Sequence, residues 1–207
     1  VDELLQDVQL PHFASFLHEH TTNLWIGNGR TVGKLHFDPF DNLLAMVTGS
    51  KRFTMYGPWR NEELYEGHIR EAELEFVQLS NATEQGTFRR TKLSNATAMV
   101  MSPVDITSPD YERYPLFRNA VSVTCDAEPG DLLYVPAFHW HEVESTPPKD
   151  ESPIGAKINV AVNMWFKPFY DKEFPCRECR PFLNTGDYAS ILRRLLQDRA
   201  ALREVSV

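Results

Sequence analysis

His36-Phe37-Asp38 constrains this chain more than any other stretch. On a β-strand successive side chains alternate faces, so a His and an Asp two apart point the same way and can converge on one ion. Two ligands do not hold a transition metal, and a third candidate lies roughly a hundred residues on, in EPGDLLYVPAFHWHEV. There a turn at Pro129-Gly130-Asp131 leads into an apolar strand ending at His139-Trp140-His141. Two histidines and one carboxylate are the donor set of the facial triad of non-haem Fe(II) sites, which leaves coordination positions open. Alone, each piece has an ordinary reading: HxD flanks many strands for hydrogen-bonding reasons, and His141 could be a satisfied core histidine. Together they make His36, Asp38 and His141 the candidate metal ligands.

The residues after Asp38 strengthen the case. Pro39 and Asp41-Asn42 precede the apolar run Leu43 to Val47, a turn at Thr48-Gly49-Ser50 and a second strand from Lys51 to Tyr56, which reads as a β-hairpin. Lys51 opens the returning strand and reaches a pocket beside the metal if it faces inward. A buried cation needs an anionic partner, and a dicarboxylate would serve. In the later strand Ile158 to Phe166, Asn159 and Asn163 interrupt an apolar run, and a buried amide must be hydrogen-bonded, so one of them is expected to face the pocket.

These pieces together resemble the Jumonji-C (JmjC) oxygenases, which use Fe(II) and 2-oxoglutarate. The resemblance is carried by HFD, Asn42, Lys51, the block PGDLLYVPAFHWHEVES and the strand NVAVNMWF from Asn159 to Phe166. TNLWIG before the HxD, GTF at Gly86 to Phe88, RYP at Arg113 to Pro115 and AVNMWFKPFYDKEF are most similar to the small-hydroxylase branch. The resemblance implies a mainly β fold, a double-stranded β-helix (cupin-like jelly roll) with flanking helices and a C-terminal helix. It implies His36, Asp38 and His141 as iron ligands, Lys51 as partner of the distal carboxylate of 2-oxoglutarate, and Asn42 and Asn163 as further pocket residues. His139 would then stand behind the ligands or face substrate. The implied reaction consumes O₂ and 2-oxoglutarate, yields succinate and hydroxylates a protein side chain, lysyl by preference. Histone N-methyl-lysine demethylation and a non-catalytic cupin binding module are the rival readings. One departure stands out: relatives usually carry Thr or Ser three residues before the first His, where this chain has Gly33, and Thr31 or Tyr56 is the expected substitute. A tyrosine upstream of the HxD is also not evident.

The 207 residues fit one domain with a core at about 22–170, and 42% hydrophobic against 24% charged residues is the balance of a globular chain. A net charge of −8 opposes a large nucleic-acid footprint. No long apolar run or leader pattern is seen, so no membrane partner is expected, although the absent initiator Met suggests a truncated or processed start. Three cysteines, Cys125, Cys176 and Cys179, make no disulfide framework, and a reducing compartment, cytoplasm or nucleus, is expected. The Cys176/Cys179 pair and the sequons at Asn81 and Asn95 read as incidental.

Elsewhere, Val1 to Gln9 has helical character, and His18 and His20 read as surface or packing residues. The charged stretch from Trp59 to about Thr97 suggests helical turns or acidic strands, with His68 exposed and the segment acting as a lid or docking surface. Tyr188, Ile191, Leu192, Leu195, Leu196 and Leu202 recur at helical spacing, predicting a helix over about 187–204 with Asp187 as N-cap. That helix is either core or a homodimer interface.

Overall fold

The structure, a computed structural model, describes residues 9–70, 72–77, 86–92, 98–148, 158–173 and 180–204. The helix expected over Val1 to Gln9, the sequons and the Cys176/Cys179 pair fall outside these residues, apart from Gln9 itself.

Short β-rich runs, near-continuously apolar in β3 and β12, form antiparallel strands in two sheets. One sheet has the order β1-β12-β3-β10, formed by β1 (Glu19–Gly27), β3 (Asp41–Thr48), β10 (Leu132–Val135) and β12 (Asn159–Phe166). The other has the order β5-β8-β2-β11-β4-β9, formed by β2 (Val32–His36), β4 (Ser50–Tyr56), β5 (Gly67–Arg70), β8 (Ala98–Met101), β9 (Ser122–Ala127) and β11 (Trp140–Thr146). This is the expected mainly β, cupin-like architecture with a C-terminal helix.

Apolar residues pack in three places. Leu44, Met46, Phe53, Ala127, Val135 and Ala161 fill the space between the sheets. Leu35, Phe37, Leu64, Phe117, Phe138 and Trp140 belong to a larger cluster, in which the strand residues are those interleaved with the cavity-facing ones. Its floor is the segment around the 3-10 turn Pro115–Asn119, and Trp140 Nε1 donates to Asn61 Oδ1 at 2.7 Å. Ala14, Leu43, Met164 and Phe166 form a third cluster, closed by the 3-10 turn His12–Ala14.

Two expectations need correction, and a third is met. The run from Asp131 to Val143 is two strands in different sheets: Pro136, lacking an N–H, and Phe138, at φ 62°, interrupt it. The charged insertion combines the two forms expected of it, a turn around Arg60–Tyr65 closed by Leu64 N–H on the Arg60 carbonyl at 2.9 Å and then strands, of which β6 (Ala72–Val77) and β7 (Thr87–Lys92) pair as a separate, largely exposed ribbon. The C-terminal helix α1 (Thr185–Glu204) is capped by Asn184, whose Oδ1 accepts Asp187 N–H at 3.1 Å, while Asp187 sits inside the first turn and pairs with Lys167. Tyr188 anchors that turn: it is fully buried, its hydroxyl donates to the Lys167 carbonyl at 2.7 Å, and His18 and Phe169 lie against its ring. His18 is thus a packing residue, as is His20, stacked on Phe40. Beyond the first turns, Leu195 and Leu196 are exposed.

Gly49 closes the β3–β4 hairpin at φ +75°, and a Cβ there would fall 2.6 Å from Asn159 Nδ2 and 2.7 Å from the Thr146 carbonyl. Gly49→Ala should therefore destabilise the fold by about 2–4 kcal/mol, through left-handed strain plus loss of hydrogen bonds of Asn159. Urea unfolding measures the loss.

Candidate metal centre

His36 ends β2, Asp38 follows two residues later, and His141 lies near the start of β11. The antiparallel β2–β11 ladder sets His36 directly opposite His141, with ring centroids 4.4 Å apart. Asp38 Oδ2 lies 3.7 Å from His36 Nε2 and 3.4 Å from His141 Nε2. One ligand atom from each residue falls within 4.8 Å of the others, a spacing that a single ion could draw together. A register shift between His141 and Val143 adds the local twist common beside functional sites.

Backbone carbonyls orient both imidazoles. A carbonyl only accepts, so Nδ1 of His36 donates to the Lys34 oxygen at 2.6 Å and Nδ1 of His141 to the His139 oxygen at 2.9 Å. Each ring is thereby fixed in the tautomer whose Nε2 lone pair faces Asp38 and the other ring. His139 acts through its main chain; its own ring donates to the Ala137 carbonyl at 3.2 Å. The interleaved aromatics clamp the two ligand segments together: Phe37 meets Trp140 edge-on at 4.9 Å and Phe138 at 6.0 Å. Phe138 N–H also donates to the Asp38 carbonyl at 2.8 Å.

Burial, reinforced by the neighbouring His141, holds the His36 imidazole below its ordinary range and keeps it neutral. Burial alone would raise Asp38, but its closeness to His141 and His36 outweighs burial and lowers the carboxyl pKa below its ordinary value. A lowered imidazole pKa at His36 and a lowered carboxyl pKa at Asp38 both favour the forms that can bind a metal.

The three side chains line a cavity of about 450 Å³ between the two sheets. Lys51, on β4, reaches it from the wall and donates to Ser145 Oγ at 2.8 Å; burial lowers its pKa. Asn42 and Asn163 also line it, both buried, and the Oδ1 of each has no hydrogen-bond partner among the described residues. A buried amide without a partner awaits a ligand or water, and an amide offers either donors or an acceptor. Asn159 instead spends its amide on the Ser50 and Thr146 carbonyls at 2.8 and 2.9 Å. Of the two expected substitutes for a hydroxyl at Gly33, Thr31 lines the cavity, whereas Tyr56 belongs to the apolar cluster around Phe37 and Trp140. Sequence reasoning passed over Ser145, Trp25 and Trp165, which also line the cavity. Ser145 was within reach of it, four residues after His141 on the same strand and so on the same face. The donor set fits Fe(II), and the Lys51 ammonium in the same cavity fits a carboxylate-bearing cosubstrate.

The sequence matches the cupin-like domain family over residues 1–172. Its similar relatives are JmjC proteins. The chain belongs to the JmjC-type cupin-like family. It is 29% identical to the bifunctional peptidase and (3S)-lysyl hydroxylase JMJD7 of Homo sapiens over 152 residues, 73% of this chain and 43% of that protein. It is 31% identical to lysine-specific demethylase 8 of Danio rerio over 170 residues, 80% of this chain and 33% of that protein. It is 28% identical to tRNA wybutosine-synthesizing protein 5 of Gallus gallus over 173 residues, 82% and 42%. The chain thus spans less than half the length of each of these relatives. JmjC proteins generally work as oxygenases with Fe(II) and 2-oxoglutarate, and the His-Asp-His cluster is compatible with iron. No described helix is long and apolar enough to cross a membrane.

Asp38→Ala should abolish the thermal stabilisation that Mn(II), an inert stand-in for Fe(II), gives the wild type. Because burial lowers the His36 pKa, proton competition at His36 should cost Mn(II) affinity only below the ordinary imidazole range near about 6.5. Titration calorimetry across pH reads both effects.

Proposed function

We propose that this chain is the catalytic domain of an Fe(II)- and 2-oxoglutarate-dependent dioxygenase that hydroxylates a protein side chain, with lysine as the residue modified. The observation that carries this reading is the convergence of His36, Asp38, His141 and Lys51 on one cavity. His36, Asp38 and His141 would hold the iron, Lys51 the distal carboxylate of 2-oxoglutarate, and Asn42 and Asn163 the remaining polar edges of the cosubstrate. When bound, iron with 2-oxoglutarate and O₂ supplies the oxidation that places one oxygen atom on a C–H bond, releasing succinate and CO₂.

The chain's own residues do the rest. Leu44, Phe53 and Val143 wall the cavity with apolar surface and restrict water. Trp25, Ile26, Val32 and Met99 line it while remaining about half exposed, so they form the rim over which a substrate side chain enters. Indole faces suit an alkylammonium group. Acidic steering adds little: in the insertion Glu63 pairs with Arg60, Glu66 with His68 and Glu75 with Arg89. Lysine therefore rests on this rim and on the similarity to a (3S)-lysyl hydroxylase. Demethylation is the second reading, favoured by the similarity to a lysine-specific demethylase. A nucleic-acid substrate is disfavoured by the net charge of −8. A second copy, docked on the exposed Leu195 and Leu196 of α1, is the proposed partner, and cytoplasm or nucleus the proposed location.

Three measurements test the reading. Incubation of the Fe(II) protein with 2-oxoglutarate and lysine-bearing proteins should add one oxygen to a peptide mass; loss of a methyl group from methyl-lysine would transfer the assignment to demethylation, and absence of succinate would leave a binding module. Lys51→Ala should weaken 2-oxoglutarate binding at least tenfold, about the worth of one charge-assisted hydrogen bond, with little change in Mn(II) affinity. Leu195→Glu with Leu196→Glu should give a folded monomer by sedimentation, and a monomeric wild type would return α1 to a purely intramolecular role.

A further inference from the structure

We propose that Ser145 supplies the hydroxyl that Gly33 lacks, forming with Lys51 and Thr31 the subsite for the far carboxylate of the cosubstrate. The inference rests on the oxygenase reading above and assigns a residue to it that neither motif nor resemblance names.

Three strands carry the subsite. Ser145 on β11 stands opposite Lys51 on β4 in the ladder, and its main-chain N–H donates to the Thr31 carbonyl at 2.9 Å. Thr31, Ser145 and Lys51 thus form a row across the sheet, and all three line the cavity. His141, Val143 and Ser145 alternate to the same face of β11, so the row lies two steps of the pleat from the metal ligands. Gly33, opposite Val143, occupies the intervening step. A Cβ on Gly33 would meet only Val143, at 3.8 and 3.9 Å, so no neighbour has grown into the space a hydroxyl side chain would take.

The chemistry selects Ser145 over its neighbours. Its Oγ accepts the Lys51 ammonium at 2.8 Å, and Lys51 is partly desolvated. An acceptor from the ammonium leaves the serine's own proton free, so the hydroxyl can donate to a carboxylate that the same ammonium attracts. Lysine and serine then present two donors to one anion, with the lysine already held towards the cavity. Ser145 is a binding and positioning residue and takes no part in bond making.

The test uses Mn(II)-loaded protein and titration calorimetry with 2-oxoglutarate and with 2-oxobutyrate, which lacks the far carboxylate. Ser145→Ala should weaken 2-oxoglutarate binding about tenfold, the scale of one hydrogen bond to a charged group, and leave 2-oxobutyrate and Mn(II) affinities unchanged. Ser145→Thr, which keeps the hydroxyl, should stay near wild type, and Gly33→Thr added to Ser145→Ala should recover most of the loss. Unchanged 2-oxoglutarate affinity in Ser145→Ala overturns the proposal, as does equal weakening of both keto acids, which marks a merely structural role, or failure of both hydroxyl-bearing variants. Absence of 2-oxoglutarate binding by the Mn(II)-loaded wild type would instead overturn the oxygenase reading itself.

Discussion

The β2–β11 ladder is the constraint on which the site depends. It joins segments separated by about a hundred residues and places His36 against His141. Side chains on a strand alternate with period two, so a one-residue slip would turn the histidines into the apolar cluster and bring Phe37 and Trp140 towards the cavity. That slip is costly because Phe37, Phe138 and Trp140 pack tightly on the opposite face, Trp140 with its indole N–H committed to Asn61. The aromatics interleaved with His36, Asp38 and His141 therefore fix the register that brings these three side chains together. The same ladder sets Ser145 and Thr31 side by side at the far end of the cavity.

A polar cavity between two sheets occupies space that would otherwise hold much of a sandwich core. His36, Asp38 and Lys51 all carry a desolvation penalty, and Asn42 and Asn163 leave buried oxygens without partners among the described residues. The apolar clusters that incorporate the two 3-10 turns offset these costs. Asp41 ties the arrangement together: one carboxylate oxygen accepts the Tyr134 hydroxyl and the Ala137 N–H, and the other accepts the Phe169 N–H, each at 2.9 Å. It thereby anchors the turn leading into β11 and the chain leaving β12 to the first residue of β3.

The legible parts of the sequence were those governed by short-range periodicity. HxD, the β3–β4 hairpin with Lys51, the strand containing Asn163 and the C-terminal helix each show their pattern within a dozen residues. What escaped depends on distant partners. The break between β10 and β11 lies in an apolar stretch whose two halves join different sheets, and only Pro136 hints at it. The pairing of β6 with β7 sets Glu75 against Arg89 and Phe76 against Phe88, so acidity counted along one strand leaves out the opposite charges on its paired strand. Asp41 reads as a turn residue until its three donors, two of them nearly a hundred residues away, are in place. Asn184 lost to Asp187 as expected cap because both are good caps, and the difference is made by Lys167, which occupies the Asp187 carboxylate.

Charge balance explains why these groups belong together on the proposed reading. Ferrous iron brings two positive charges into the cavity, Asp38 removes one, and Lys51 adds one. A dianion closes that sum, whereas a monoanion leaves an uncompensated charge in a partly desolvated space, where it is most expensive. Lys51 pays a desolvation penalty with no counter-charge among the described residues, and that burial is why its proton is held less tightly than in water. A carboxylate at the Ser145 end reverses that penalty, so the lysine, the serine and the metal ligands become mutually favourable only when one molecule with an acidic group at each end spans them. On the proposed reading, a preference of the cavity for a dicarboxylate would follow from its electrostatics as much as from its shape.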